Sequence, residues 1–128
     1  MNIRTDFEGV GVNAGSVNPQ LAVCQRFHTK YFGCDQMLKV GISRNVREGL
    51  RPLNGLRLKP EGETSGWYIW AGEQFSEAPG FFVPLHVSHL LTWAPQAMPY
   101  LGLPPGWRFL VTDGYEDVWE DPYLLRSP

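Results

Sequence analysis

Only two cysteines, Cys24 and Cys34, occur in the chain, too few for a disulfide framework. A helix running from about Pro19 to Phe32 places their backbones roughly 13 Å apart at the usual helical rise, beyond the ~7 Å that a disulfide spans. Two reduced thiols are expected. Long hydrophobic runs are also missing: no stretch reaches the ~18 apolar residues that cross a bilayer, and the N-terminal residues Met1 to Glu8 lack the apolar core of a secretory signal. A cytoplasmic protein that does not enter a membrane is expected. Nucleophile elbow, phosphate-cradling glycine loop, zinc quartet and basic aromatic stripe are all absent, so the residues offer little to an enzyme and suggest no cofactor. The net charge of −2 gives no overall attraction to nucleic acid.

The charge that is present is unevenly spread. Residues 1–60 carry nine basic and four acidic side chains, whereas residues 61–128 carry two basic and nine acidic. The densest part is Asp113, Glu116, Asp117, Glu120 and Asp121, interrupted by no lysine or arginine. A cluster of this kind repels phosphate and attracts basic partners. It has two readings, a solvated face or an acidic binding face. The solvated face is the simpler reading; Tyr115 and Trp119, interleaved with the carboxylates, are what speaks for the binding face, because aromatic side chains anchor interfaces. General acid/base work by a pair such as Asp117 and Glu120 requires burial that shifts a carboxyl, which no spacing reveals.

A chain of 128 residues suits one domain spanning 1–128. Residues 1–17 contain several glycines and no helical period, which suggests a flexible arm or a short edge strand. Asn18 then caps a helix with Pro19 in its first turn and Gly33 at its end. Leu38, Val40 and Ile42 alternate as a strand. Arg44 to Ser65 reads as a long surface loop tacked down by Val46, Leu50, Leu53, Leu56 and Leu58.

A pattern appears twice, Gly66-Trp67-Tyr68-Ile69-Trp70-Ala71 and Gly106-Trp107-Arg108-Phe109-Leu110-Val111. Each copy reads as a turn glycine feeding a strand. Alternation puts Trp67, Ile69 and Ala71 on one face, and Trp107, Phe109 and Val111 on another, so that both tryptophans are expected in one core. Between the copies, Leu85, His89, Leu90 and Trp93 suggest a second helix, and Ala94 to Leu103 a short third. Asp113-Gly114 is a turn that reverses the chain into Tyr115–Trp119 as a hairpin. The expected fold class is α+β, with a small, mainly antiparallel sheet and two or three helices packed on one face.

Other constellations are weaker. Gly9, Gly11 and Ala14 fit a loose dinucleotide fingerprint but lack the βαβ unit that its mechanism needs. His86 and His89, three apart, can share a metal, as in a metal-dependent hydrolase, but have no adjacent third ligand. Cys24 and His28 have the spacing of a thiolate and its base; a helix-interior thiol among apolar neighbours is more often inert.

Ser65-Gly66-Trp67 through Gly72-Glu73, together with Val40 to Gly49, Phe82 to Val87 and Tyr100 to Phe109 with its Pro104-Pro105-Gly106-Trp107 turn, resembles the thirty-third immunity-protein family of bacterial polymorphic toxin systems, formerly a domain of unknown function. The resemblance covers about residues 35–125. It implies a non-enzymatic protein that binds and neutralises a cognate toxin domain, and it implies no catalytic residues. Asp113, Tyr115, Glu116, Asp117, Trp119, Glu120 and Asp121 then supply a physical route to the partner: against a nuclease toxin with a basic cleft, carboxylates take the places of phosphates. The alternative is a small ligand-binding or regulatory domain whose Tyr68, Trp70 and Trp119 line an aromatic pocket.

Overall fold

The computed structural model describes residues 18–126. The arm expected over 1–17 lies outside the described residues. The elements are helix α1 (Pro19–Arg26), strand β1 (Lys39–Ser43), strand β2 (Leu53–Arg57), strand β3 (Thr64–Ala71), strand β4 (Phe82–His86), helix α2 (Leu90–Trp93), strand β5 (Trp107–Thr112) and strand β6 (Tyr115–Glu120), with 3-10 turns at 44–48, 87–89, 95–100 and 122–125. The strands form one sheet in the order β4-β1-β3-β2-β5-β6. Only the β1–β3 pair is parallel. The architecture is α+β, as expected.

One face of the sheet carries the core. Val40, Ile42, Leu53, Trp67, Ile69, Ala71, Phe109, Val111 and Val118 join Val23 and Cys24 of α1, Leu90 of α2, and Ala97, Tyr100, Leu101 and Leu103 in a single buried cluster. Trp67 is 1% exposed and meets the ring of Phe109 at 5.5 Å. Its expected partner, Trp107, is only partly buried at the edge of this cluster. Gly106, at φ +96°, is the turn glycine expected before its strand, whereas Gly66, at φ +91°, lies inside β3, where a Cβ would come within 2.0 Å of the Leu58 carbonyl oxygen; both angles are costly for any side chain.

Three expected elements differ. First, α1 stops at Arg26 rather than near Phe32. Thr29 N–H reaches the Cys24 carbonyl and His28 N–H the Gln25 carbonyl, the paired bonds of a Schellman ending. His28, at φ +58°, takes the left-handed position usually given to glycine. Second, 53–57 is no loop but β2, paired on both sides within the sheet. Its inward positions are Leu53, Gly55 and Arg57, a series that no hydrophobic alternation would identify. Gly55 is glycine because a Cβ there would lie 2.1 Å from the Phe109 ring. Third, 82–86 is an edge strand that carries Pro84, a position where a missing N–H is tolerated. The helix expected after it shrinks to the four residues of α2, and the third helix is a 3-10 turn, Pro95–Tyr100.

Arg57 explains why β2 holds its place. The side chain is buried, 1% exposed. Nε donates to Ser65 O at 2.9 Å; Nη1 to Leu103 O at 2.8, Phe32 O at 3.0 and Leu101 O at 3.1 Å; and Nη2 to Gly33 O at 3.2 Å. Burial lowers its pKa, because leaving water disfavours the charged form. Carbonyl dipoles, rather than a carboxylate, meet the charge among the described residues.

Replacing Arg57 with Leu takes a donor from five carbonyls in the interior, of which Leu101 keeps the Trp67 indole, and the expected loss of stability is about 3–5 kcal/mol; an unfolding free energy from denaturant curves within about 1 kcal/mol of the parent would contradict this. His28→Gly relieves the left-handed strain and is expected to raise stability by up to about 1 kcal/mol in the same assay.

Candidate functional site

The hairpin β5–β6 places the acidic cluster on an edge of the sheet. Asp113 and Gly114 form its tip, with Gly114 at φ +73°. Alternation along β6 then divides the cluster. Glu116, Val118 and Glu120 lie opposite Val111, Phe109 and Trp107 on the core side, while Tyr115, Asp117 and Trp119 lie opposite Thr112, Leu110 and Arg108 on the other side.

Two of the carboxylates are engaged within the fold. Glu116 accepts a two-pronged contact from Arg26 of α1, Nη1 to Oε1 at 2.9 Å and Nη2 to Oε2 at 3.0 Å, and a hydrogen bond from the Tyr100 hydroxyl. Tyr100 in turn stacks on Phe109, centroids 4.8 Å apart. The Arg26 guanidinium, with Tyr100 adding to it, holds the Glu116 carboxyl below its ordinary range. Burial, reinforced by the neighbouring carboxylate, pushes the Tyr100 phenol well above its own. Asp121 accepts from Arg108 Nη1 at 3.1 Å and from Tyr123 N–H at 3.2 Å, the latter capping the 122–125 turn. Arg108 also lies over the ring of Trp119. Sequence spacing gives no hint of these pairings, since Arg26 is ninety positions from Glu116.

Asp113, Tyr115, Asp117 and Glu120 remain exposed. Tyr115 and Asp117 lie on the side of the edge strand away from the core and Glu120 on its core side; Tyr115 is 56% exposed.

The sheet face opposite the core holds a second feature. Trp70, Phe75, Phe81 and Phe82 form an aromatic cluster, edge to face except for the tilted Phe75–Phe82 pair, with the Trp70 and Phe75 centroids 5.0 Å apart. Beside them lies an open depression of about 330 Å3 lined by Leu56, Leu58, Tyr68, Phe75, Glu77 and Phe82, among others. The expected trio of Tyr68, Trp70 and Trp119 does not line it together. Tyr68 does; Trp70 is buried behind it, and Trp119 stands on β6, with β2 and β5 between.

His86 closes β4 and His89 ends the 87–89 turn, their rings 6.1 Å apart. Among the described residues, no group of three or more His, Cys, Asp or Glu side chains is placed to hold a metal ion. Cys24 is buried, with Sγ donating to Gly102 O at 3.3 Å, and burial raises its pKa. His28 is exposed beyond the helix end, so the i,i+4 geometry assumed for a thiolate and its base is not formed. Cys24 and Cys34 are both free thiols. No helix of the described residues is long and apolar enough to cross a membrane.

With this geometry in place, comparison with known families is decisive: the family model of the Imm33-like domain matches residues 19–121. The chain belongs to the Imm33-like family. The match takes in α1, which the sequence resemblance over 35–125 left outside, and ends at Asp121, so that it contains Arg26, Tyr100 and the whole β5–β6 hairpin. No curated protein and no solved structure matches the chain. The Imm33-like name places the chain within the immunity-protein theme, and the partner that such a family implies in general is a protein toxin.

Glu116→Gln removes the charge that Arg26 and Tyr100 share. Because the folded carboxyl titrates below its unfolded value, its stabilisation is complete above the ordinary carboxylate range and fades as pH falls through the depressed value. At neutral pH the variant is expected to be less stable by about 1 kcal/mol, a modest figure because Arg26 is half exposed. Denaturant curves of the two proteins should converge in strong acid; a gap that stays constant with pH would contradict the assignment.

Proposed function

We propose that this Imm33-like protein is a non-enzymatic, cytoplasmic immunity protein that binds a cognate toxin domain and blocks its active site. The observation that carries the reading is the family match across residues 19–121. The exposed carboxylates of Asp113, Asp117 and Glu120 beside Tyr115 supply a means of recognition. A toxin that acts on nucleic acid needs a basic cleft, and carboxylates on a projecting hairpin compete for it while steering the encounter. Glu116 and Asp121 serve differently. They hold the hairpin to α1 and to β5, and Trp119 is held under Arg108. In this reading the helices cover one face of the sheet, leaving the hairpin edge and the opposite face to the partner.

The free edge of β6 contributes as well. In a two-residue hairpin, Tyr115, Asp117 and Trp119 direct their backbone groups toward β5, so those of Glu116, Val118 and Glu120 point outward. An extended partner segment would find them unpaired.

A tagged full chain, drawn from its native cell extract at low salt, is expected to retain a stoichiometric protein with a toxin domain. Against that partner, the combined variant Asp113→Asn, Asp117→Asn, Glu120→Gln should associate about tenfold more slowly and with a flatter dependence on salt. Its melting temperature should be close to the parent's, since none of the three is paired among the described residues. An unchanged on-rate would remove the hairpin from recognition; elution without a partner under inducing conditions would count against the immunity role.

A further inference from the structure

We infer that the depression on the sheet face opposite the core is a socket for one arginine side chain of the toxin domain. The identity of the partner rests on the proposed function, whereas the chemistry of the socket stands on its own lining. Leu56 and Leu58 of the β2 region give it apolar walls, and Tyr68, Phe75 and Phe82 give it aromatic ones. Glu77 is the only carboxylate or cation among its lining residues, and it pairs with no cation among the described residues. The segment that carries Phe75 and Glu77 is shaped by its own bonds, Ala78 N–H to Ser76 Oγ at 3.0 Å and Phe81 N–H to Ala78 O at 3.1 Å. Phe75 is braced from behind by the buried Trp70 and yet is 47% exposed.

Three occupants are conceivable for a space of about 330 Å3, which is small for a drug-sized ligand. A purely apolar side chain would satisfy the walls and leave the exposed Glu77 carboxylate without a partner. A lysine ammonium neutralises Glu77 but is compact and strongly hydrated, and it gains little from the flat rings. Arginine answers every part of the lining. Its methylene stem lies along Leu56 and Leu58, its planar guanidinium stacks on an aromatic face, and its fork meets the carboxylate. A basic toxin surface therefore has a place to seat one anchor on this face.

The test uses the full chain with N-acetyl-arginine amide, its uncharged isostere N-acetyl-citrulline amide, and N-acetyl-norleucine amide, followed by the ring proton resonances of Tyr68, Phe75 and Trp70. The arginine probe is expected to give saturable shifts confined to the socket, with the citrulline probe at least about fivefold weaker. Glu77→Gln should abolish that distinction, and Phe75→Ala, a change at a half-exposed ring, should abolish the response with the fold intact. Norleucine binding as well as arginine would overturn the assignment in favour of an apolar socket. So would the lack of any saturable response up to about 50 mM probe. Because the titration needs no toxin, its failure leaves the immunity role standing. A captured toxin domain whose affinity is unaffected by Glu77→Gln would detach the socket from that interface.

Discussion

A guanidinium sealed in the interior organises this fold. Arg57 ends β2 with its charge met by carbonyls from three separate stretches, Phe32 and Gly33, Ser65, and Leu101 and Leu103. Phe32 and Trp67 lie 4.8 and 5.6 Å from the guanidinium carbon. A buried cation is tolerable only when every donor finds a partner, so these stretches are held in one arrangement. The Leu101 carbonyl accepts from the Trp67 indole as well as from Arg57. The main chain joins the same node: Gly106 N–H donates to Arg57 O, and Leu58 N–H donates to Gly66 O. Both copies of the Gly-Trp pattern thus converge on the end of β2. Their likeness reflects two strands that pass one junction, with glycine at Gly66, where the backbone of Leu58 comes too close for a side chain, and at the Gly106 turn.

From this junction the sheet carries function outward. β5 leaves Gly106 and returns as β6, and the Gly106 carbonyl is bonded by Asp121 N–H at the far end of that return. The hairpin is therefore fixed at its base by backbone and along its length by Arg26, Tyr100 and Arg108. What reaches solvent is a rigid strip of carboxylates with one exposed tyrosine. Rigidity matters for recognition, because an ordered strip loses less entropy on docking than a mobile one.

Much of the strand content was legible in the residues. Alternation in 39–43, 64–71 and 107–120 is strong, and the turn at Asp113-Gly114 follows from its chemistry. β2 was not legible, for a physical reason: its inward positions are Leu53, Gly55 and Arg57, where a ring from Phe109 fills the space of one missing side chain and carbonyls solvate the other. The length of α1 was misjudged because its ending uses His28 in a position where glycine is the usual signal. At the site, the acidic residues were visible as a run, but their division was not. Glu116 and Asp121 are committed to Arg26 and Arg108, and a run of charges does not reveal which members the fold consumes. The depression beside Tyr68 was invisible, because Leu56, Tyr68 and Glu77 come together only through sheet register and the 72–81 loop.

The proposed contact with a protein partner runs through the β6 edge and the sheet face opposite the core. Amide hydrogen exchange of the full chain, alone and bound to the captured partner, addresses it most directly. The account predicts added protection at residues 113–120, strongest at the outward-facing amides of Glu116, Val118 and Glu120, and in the 75–82 segment beside Tyr68. Protection confined to α1 and the 95–103 region, with the hairpin exchanging as in the free chain, would contradict it.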